Sequence, residues 1–445
     1  MVSVLDLPYD VLQVIFRNLS PADVLCFIAS TRTLYYPLLD DTTTWRPFCI
    51  PYGIADNSVF KNRSYRVICG RLFHRFGALL GRWCSDYPFA GNIIEFRLVP
   101  DEFQRSGELI IAGDVWRFSG RSHDHSMPQY PSYVEFMQIG FTPWRQATRQ
   151  NADEVQVSWH LRSRSNLGFL VHNGVPPPYI RLDGGDSRAR PSLHVIAPTS
   201  MTLMVPHYSS GEFPERLTPA WFDAERGLPP MPQESPPAIT PRPRDQEPYG
   251  VGLRYVEGTP KPGSISIFPP PPDRTSTVYL PELHNPGNPL SFNYVDFVPR
   301  YYALRTDTQD GVDPASPDWR AETLVGLWLG DYGPHGTECL FLEHDAAEQA
   351  LRAWKITGDV NIPRGACTWS ADLKEPTPRE DPSGSGRTVR AFRGEGQIAH
   401  HGFIEAALIP AVVIVSGRDE ITVEWDAFFA AKFIRYRSER GRAGD

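Results

Sequence analysis

The residues of this chain best suited to chemistry lie in one stretch, Gly326 to Gly365, GLWLGDYGPHGTECLFLEHDAAEQALRAWKITGDVNIPRG. Trp328, Tyr332 and His335 offer aromatic surface, and Lys355, Asp359 and Asn361 offer charge and hydrogen bonds at the entrance of the loop that follows. Such a mixture suits recognition, because a concave, mostly apolar pocket with a few polar groups holds a ligand without matched pKa values. It does not suit bond chemistry. No G-x-S-x-G elbow, P-loop, helix-opening G-x-G-x-x-G or H-E-x-x-H occurs, so the chain is read as non-catalytic. His123 and His125 flank Asp124, and His400 precedes His401, but neither pair has a third ligand at motif spacing. They read as solvated, and neither a metal nor another cofactor is expected. A plainer reading stays open: the glycines and Asp-x-Asn of KITGDVNIPRG shape a turn, and Trp328 belongs to a core.

The elements that must position these residues are announced by a repeat. The stretch GRWCSDYPFAGNIIEF, 245 positions earlier, places Gly81, Trp83, Asp86, Tyr87, Gly91 and Phe96 at the spacing of Gly326, Trp328, Asp331, Tyr332, Gly336 and Phe341. Each copy reads as a strand carrying Trp, a turn at Asp-Tyr, and a glycine where the chain reverses into a second strand. In the later copy that second strand is Glu338 to Glu343. Two such hairpins predict that each opens one half of a closed or nearly closed antiparallel sheet. The alternative is that G-x-W-x-x-D-Y is simply a common way to start a hairpin.

With 445 residues the chain can hold two to three domains by the rule of roughly 150 residues each. Its 44 prolines are about twice the usual share, which argues for strands, turns and long loops over long helices. The net charge of −8 offers nothing to a phosphate backbone, so nucleic acid is not an expected partner. Cys26, Cys49, Cys69, Cys84, Cys339 and Cys367 are scattered without C-x-x-C or a secretory leader, which fits thiols in the cytoplasm or nucleus. The longest apolar run, Ala406 to Val415, is interrupted by Pro410 and too short to span a bilayer, so no membrane partner is expected.

Compact helices are expected only at the front. Asp6 can cap a helix with Pro8 in its first turn, and Leu7, Val11, Ile15 and Leu19 recur every four residues. Ser20, Pro21 and Asp23 open a second helix with Leu25, Ile28 and Ala29 on its apolar side. A short third helix around Tyr35 to Leu39 ends at Asp40 and Asp41, before Trp45. Residues 51–80 read as a helical linker, with Arg63, Arg66, Arg71 and Arg75 on a solvated face. Strands follow at Ile93 to Val99, Leu109 to Phe118, Tyr133 to Phe141, Glu154 to Leu161, Leu167 to Val171 and Leu193 to Val205. Pro214 to Tyr249 and the stretch Pro270 to Pro289 are proline-rich loops, and Glu375 to Arg387 is a third piece of low order. The chain returns to strands at Gly396 to Phe403, Ala406 to Val415, Ile421 to Phe429 and Phe433 to Tyr436.

The run L-P-x-x-V-L-x-x-I-F-x-x-L-S-P-x-D-V-L, followed by Trp45, resembles an F-box, the helical module that docks on the Skp1 adaptor of cullin-RING ubiquitin ligases. Arg32 and Thr33 depart from the usual polar-aromatic pair, and Pro37 shortens the third helix. Together with GLWLGDYGPHGTE, KITGDVNIPRG and QIAHHGF in that order, it is similar to the F-box only protein thirty-one family, whose members present substrates to Skp1-cullin-F-box ligases. The resemblance implies that Leu7, Pro8, Val11, Ile15, Leu19, Leu25 and Trp45 bind Skp1, and through it cullin. In such a receptor, Trp328, Tyr332, His335, Lys355, Asp359 and Asn361 are the candidates, chosen for their chemistry, to contact a protein substrate. The animal representative is associated with cyclin D turnover and with C-terminal amides; only the receptor role is carried over. Its Cys/His zinc site is not expected here, since no cysteine lies between Cys84 and Cys339.

Physical reasoning agrees that three such helices cannot bury all their apolar faces among themselves. A partner helix, or the chain's own β-domain, must cover the rest. The expected fold is α+β: an F-box over residues 1–50, a linker over 51–80, two halves of a β-barrel substrate domain over 81–213 and 291–438, Pro-rich loops with short strands over 214–290, and a tail over 439–445. The expected function is substrate recognition for a ubiquitin ligase. The competing expectation is a barrel that binds a small ligand, with the F-box serving the protein's own turnover.

Overall fold

A computed structural model describes residues 6–85, 91–101, 107–118, 127–142, 152–162, 167–171, 180–181, 264–267, 300–304, 310–359, 361–362, 364–377, 379, 389–400, 404–425 and 429–437. The turn residues Asp86 and Tyr87, the His123–His125 loop, His401, the strand expected at 193–205, the loops at 214–249 and 270–289 and the tail at 439–445 lie outside them.

The chain opens with four helices: α1 (Tyr9–Arg17), α2 (Pro21–Ala29), α3 (Arg32–Leu38) and α4 (Thr42–Trp45). Helix α1 starts one residue after Pro8, which occupies its N-cap without a side-chain hydrogen bond, so Asp6 is not the cap. The expected opening of α2 is found: Ser20 Oγ accepts from the Asp23 amide at 3.1 Å and donates to its carboxylate at 2.6 Å. Thr31 and Asp41 cap α3 and α4 in the same way. Turns at Asn57–Phe60 and a helical run over residues 65–76 follow, with Ile68, Cys69, Leu72 and Phe73 buried. The apolar side of this run is thus packed in the core, while Arg71 is exposed and Arg66 half-buried, as expected of its arginine face. Arg63, by contrast, is not solvent-facing: it pairs with Glu108 and lies 4.4 Å over the Phe141 ring.

The strands form two sheets. The first contains β1 (Gly81–Ser85), β2 (Ile93–Pro100), β3 (Leu109–Arg117), β4 (Ser132–Phe141), β5 (Val155–Arg162), β6 (Leu167–Val171), β7 (Ile180–Arg181), β8 (Ser264–Ile267) and β9 (Arg300–Ala303). Consecutive strands pair from β1 to β6 and from β7 to β9, and β9 returns to β1. The second is a closed eight-stranded antiparallel barrel of β10 (Gly326–Asp331), β11 (Thr337–Asp345), β12 (Ala350–Lys355), β13 (Cys367–Thr377), β14 (Arg390–His400), β15 (Ile404–Gly417), β16 (Glu420–Trp425) and β17 (Phe429–Arg435). The expectation of one barrel split between 81–213 and 291–438 is therefore corrected. Each hairpin opens a sheet of its own, and the barrel closes within residues 326–435 because β17 pairs back onto β10. Of the piece expected to be of low order from Glu375 to Arg387, the first three residues belong to β13, and the rest apart from Arg379 lies outside the described residues.

The repeated residues explain why both sheets start alike. Gly81 and Gly326 have φ of 112° and 135°, backbone that side chains with a Cβ rarely adopt, and each follows a short 3-10 turn. Two residues on, the indole of Trp83 donates to the Leu79 carbonyl at 2.7 Å and that of Trp328 to the Leu324 carbonyl at 2.8 Å. The ungapped match of Phe96 to Phe341 is off by one position: Gly81 faces Phe96, but Gly326 faces Leu342. The second turn is one residue longer.

Period-2 alternation divides the first sheet between two neighbours. Trp83, Ile94, Phe96, Ile111, Val115 and Met137 share a core with the helices, whereas Cys84, Ile93 and Trp116 pack with Leu327, Leu329, Cys339, Phe341 and Tyr436 of the barrel region. The order is helices, sheet, barrel. No helix among the described residues is long and apolar enough to cross a membrane.

Candidate functional site

Inside the barrel, the alternating positions Trp328 on β10, Leu340 and Leu342 on β11, Leu351 and Ala353 on β12, Trp369 on β13 and Phe433 on β17 make an apolar core. The same alternation carries Glu338 and Lys355 inward at one end of the barrel, where the loops 332–336 and 356–366 emerge. The register sets Glu338 opposite Gly330 and Lys355 opposite Leu340, which brings the two side chains together. Lys355 Nζ lies 2.7 Å from Glu338 Oε2 and 2.6 Å from Asp359 Oδ2, and 4.5 Å from the centre of the Tyr332 ring. The Tyr332 hydroxyl donates to Thr368 Oγ1 at 3.2 Å. Phe433 and Trp425 flank the Tyr332 ring at 5.7 and 6.2 Å.

Burial decides how this cluster is charged. Lys355 and Glu338 are 1% and 3% exposed. Burial alone would discharge the lysine, but Glu338 and Asp359 outweigh it and hold the ammonium above its ordinary value. Burial pushes Glu338 well above the ordinary carboxylate range, and the Asp359 charge adds to the rise against the pull of Lys355. Asp359 feels burial too, yet Lys355 and the hydrogen bond from Glu338 hold it below its ordinary value. These directions keep Lys355 and Asp359 charged and make Glu338 the member of the cluster most readily protonated. Asp359 also accepts the amides of Asn361 and Ile362 at 2.6 and 2.8 Å. It therefore shapes the turn and balances the lysine at once.

The six residues expected to contact substrate separate. Tyr332, Lys355 and Asp359 come together at this end of the barrel, and Asn361 lies beside them, its amide donating to the Ala399 carbonyl at 2.9 Å. His335 is exposed on the turn. Trp328 is wholly buried under Arg435, whose guanidinium lies 4.8 Å from its ring, so it is core and not ligand-facing surface. Arg435 occupies the opposite end of the barrel, bonded to Asp419 Oδ1 at 2.9 Å and to the Val325 carbonyl at 3.2 Å. Glu338 and Thr368 were missed because a strand sequence does not disclose which inward positions are polar. The one available signal was the alternation Glu338, Leu340, Leu342.

The helices show a parallel split. Leu12, Phe16, Val24 and Ile28 are buried, while Tyr9 (46%), Val11 (38%), Val14 (59%) and Leu25 (41%) are exposed. Of the residues expected to meet Skp1, Pro8, Val11 and Leu25 are exposed and Ile15 is half-buried; Leu7 and Leu19 pack in part on the chain's own core. Trp45 is not available. It is 2% exposed, and its indole donates to the Leu38 carbonyl at 3.0 Å.

Among the described residues no group of His, Cys, Asp and Glu is placed to hold a metal ion. His400 sits on the surface 3.5 Å from Glu405. Residues 310–437 match the family described as Cyclin D1 binding domain, a span that contains the whole barrel. A stretch of 107 residues is 30% identical to Protein EXECUTER 2, chloroplastic, of Arabidopsis thaliana, covering 20% of this chain and 16% of that protein.

Proposed function

We propose that this chain is the substrate-recognition subunit of a Skp1-cullin-F-box ubiquitin ligase, working in the cytoplasm or nucleus. The front helices bind Skp1, and the barrel holds a protein degron at the end where His335 is exposed and Asn361 half-buried beside the buried Tyr332 and Lys355. The observation that carries the reading is the second apolar face of α1 and α2: Tyr9, Val11, Val14 and Leu25 remain exposed after Leu12, Phe16, Val24 and Ile28 have filled the core. Such a face at i, i+3 spacing is what a partner helix covers. The match of residues 310–437 to a family described by the protein it binds supports a protein ligand for the barrel.

In this reading no bond is made or broken by the chain. It raises the effective concentration of its cargo beside a ubiquitin-loaded enzyme. A small-ligand barrel is disfavoured because the interior is occupied by Trp328, Trp369, Leu340 and Phe433. The test is co-purification with Skp1 of the wild type and of Val14→Asp with Leu25→Asp. The double variant should fold normally and lose the adaptor; retention of Skp1 by that variant overturns the assignment. Affinity capture with the proteasome blocked, comparing the intact chain with one lacking residues 1–50, then identifies cargo.

A further inference from the structure

The basic residues of this chain are nearly all of one kind. Of its 44 lysines and arginines only five are lysine, namely Lys61, Lys261, Lys355, Lys374 and Lys432, and 39 are arginine. Lysine is ordinarily among the commonest residues of a soluble protein. Here the four front helices and all nine strands of the first sheet are without it, and residues 62–260 contain none.

Part of the bias has a structural reason. Arg97 grips Asp114 Oδ2 through two nitrogens at 2.9 and 2.7 Å, and Arg435 divides its guanidinium between Asp419 Oδ1 and the Val325 carbonyl. The planar fork of arginine suits such places and a single ammonium does not. The exposed arginines have no such reason. Arg17, Arg32, Arg71, Arg320 and Arg393 are exposed and make no hydrogen bond or ion pair among the described residues. At those positions lysine would supply the same charge on a similar apolar stem, so solubility does not choose between the two. What separates them is nucleophilicity. A lysine ammonium can shed a proton and attack a thioester, whereas a guanidinium is not deprotonated in proteins.

Burial and pairing restrict the lysines further. Lys355 is 1% exposed and sits between Glu338 and Asp359. Lys61 is exposed but lies 3.5 Å from Glu108. Lys374 on β13 and Lys432 on β17 are exposed, and Lys261 lies outside the described residues.

We propose that arginine replaces lysine on this surface so that the receptor escapes the ubiquitin transfer it directs, and that Lys61, Lys374 and Lys432 are the acceptor amines left among the described residues. The proposal rests on the receptor reading and deepens it. In the transfer, a lysine Nζ that has released one proton to water bonds to the C-terminal carbonyl carbon of ubiquitin. The thioester C–S bond to the conjugating enzyme's cysteine breaks, the nitrogen loses a second proton, and the departing thiolate takes one up. A receptor held beside that thioester presents its own amines at the same high effective concentration as those of its cargo. Withdrawing them leaves the cargo as the better acceptor. The same scarcity tells against the competing expectation, in which the front helices serve the chain's own turnover.

The experiment assembles the full chain with Skp1, cullin, a RING subunit and a ubiquitin-charged conjugating enzyme, and uses discharge of the thioester by free lysine to show that the assembly is active. Self-modification is timed for wild type and for a variant carrying Arg71→Lys, Arg320→Lys and Arg393→Lys, and the attachment sites are mapped by mass spectrometry. These exposed, unbonded positions should leave Skp1 binding and the unfolding midpoint unchanged. The variant doubles the exposed acceptors among the described residues, from three to six, and should modify itself about twofold faster or more. Attachment on wild type should fall on Lys61, Lys374 and Lys432 and not on Lys355. Equal rates for wild type and variant in an active assembly overturn the proposal and leave the receptor reading standing, and attachment at Lys355 overturns the assignment of acceptors. A chain that fails to assemble with Skp1 removes both readings.

Discussion

Replacing Lys355 by Met would remove the one cation of the buried cluster and keep roughly its volume. Two carboxyl groups would then face each other without it, with Lys355 no longer 2.6 Å from Asp359 and 2.7 Å from Glu338. Breaking a buried ion pair by deleting one partner costs about 3–5 kcal/mol, chiefly because the other charge is left uncompensated. Here Asp359 keeps the amides of Asn361 and Ile362, which places the expected loss at the lower end, about 3 kcal/mol. With an unfolding entropy of about 2.1 cal/mol/K per residue over a chain of 445 residues, that moves Tm by about 3 °C. The assay is thermal and urea unfolding of Lys355→Met, Asp359→Asn and the double variant. Asp359→Asn alone strands the lysine, while the double variant leaves no charge unpaired and should recover most of the loss. A double-mutant cycle showing coupling of about 2 kcal/mol or more supports the argument. Additive losses, or a Tm change under about 2 °C for Lys355→Met, would refute it.

Glu338 gives the cluster a pH signature. Its folded pKa is raised above the unfolded value near 4.5, so its contribution is complete below that pH and declines as pH rises toward the folded value. Asp359 has the opposite sign: its contribution is present above the unfolded 3.8 and lost as pH falls through the folded value. Glu338→Gln, which mimics the protonated acid, should therefore flatten the loss of stability with rising pH in urea titrations, and an unchanged slope would contradict the assignment. Gly394→Ala puts a Cβ 1.9 Å from the Ser370 carbonyl, a backbone atom that cannot swing aside, and should cost about 1–3 kcal/mol or more by overpacking. Ser20→Ala should cost about 1 kcal/mol through loss of the α2 cap, measured by the same unfolding. Trp83→Phe and Trp328→Phe each delete one indole-to-carbonyl bond and the same ring volume, so their losses should agree within about 1 kcal/mol if the two hairpins are equivalent.

Local chemistry was legible wherever one residue type does one job. Ser20-Pro21-x-Asp23 declared a helix start, and the short apolar run Cys339 to Leu342 after a glycine turn declared a strand. The glycine and tryptophan of each hairpin were recognisable because a positive φ and an indole-to-carbonyl bond are met within a few residues of chain. What the sequence could not decide was how far each hairpin's sheet extends. Closure within 326–435 depends on β17 meeting β10 across about a hundred residues, a contact with no local signature. Likewise Lys355 and Asp359 were visible as charges, but their partner Glu338 became a buried acid only when strand register turned it inward beside them. Trp45 and Trp328 went the other way: both are the residue types that binding surfaces favour, and tertiary packing placed both in cores. Sequence sets which groups can interact over a turn or a strand; the sum of burial and register across the whole chain sets which of them still face the solvent.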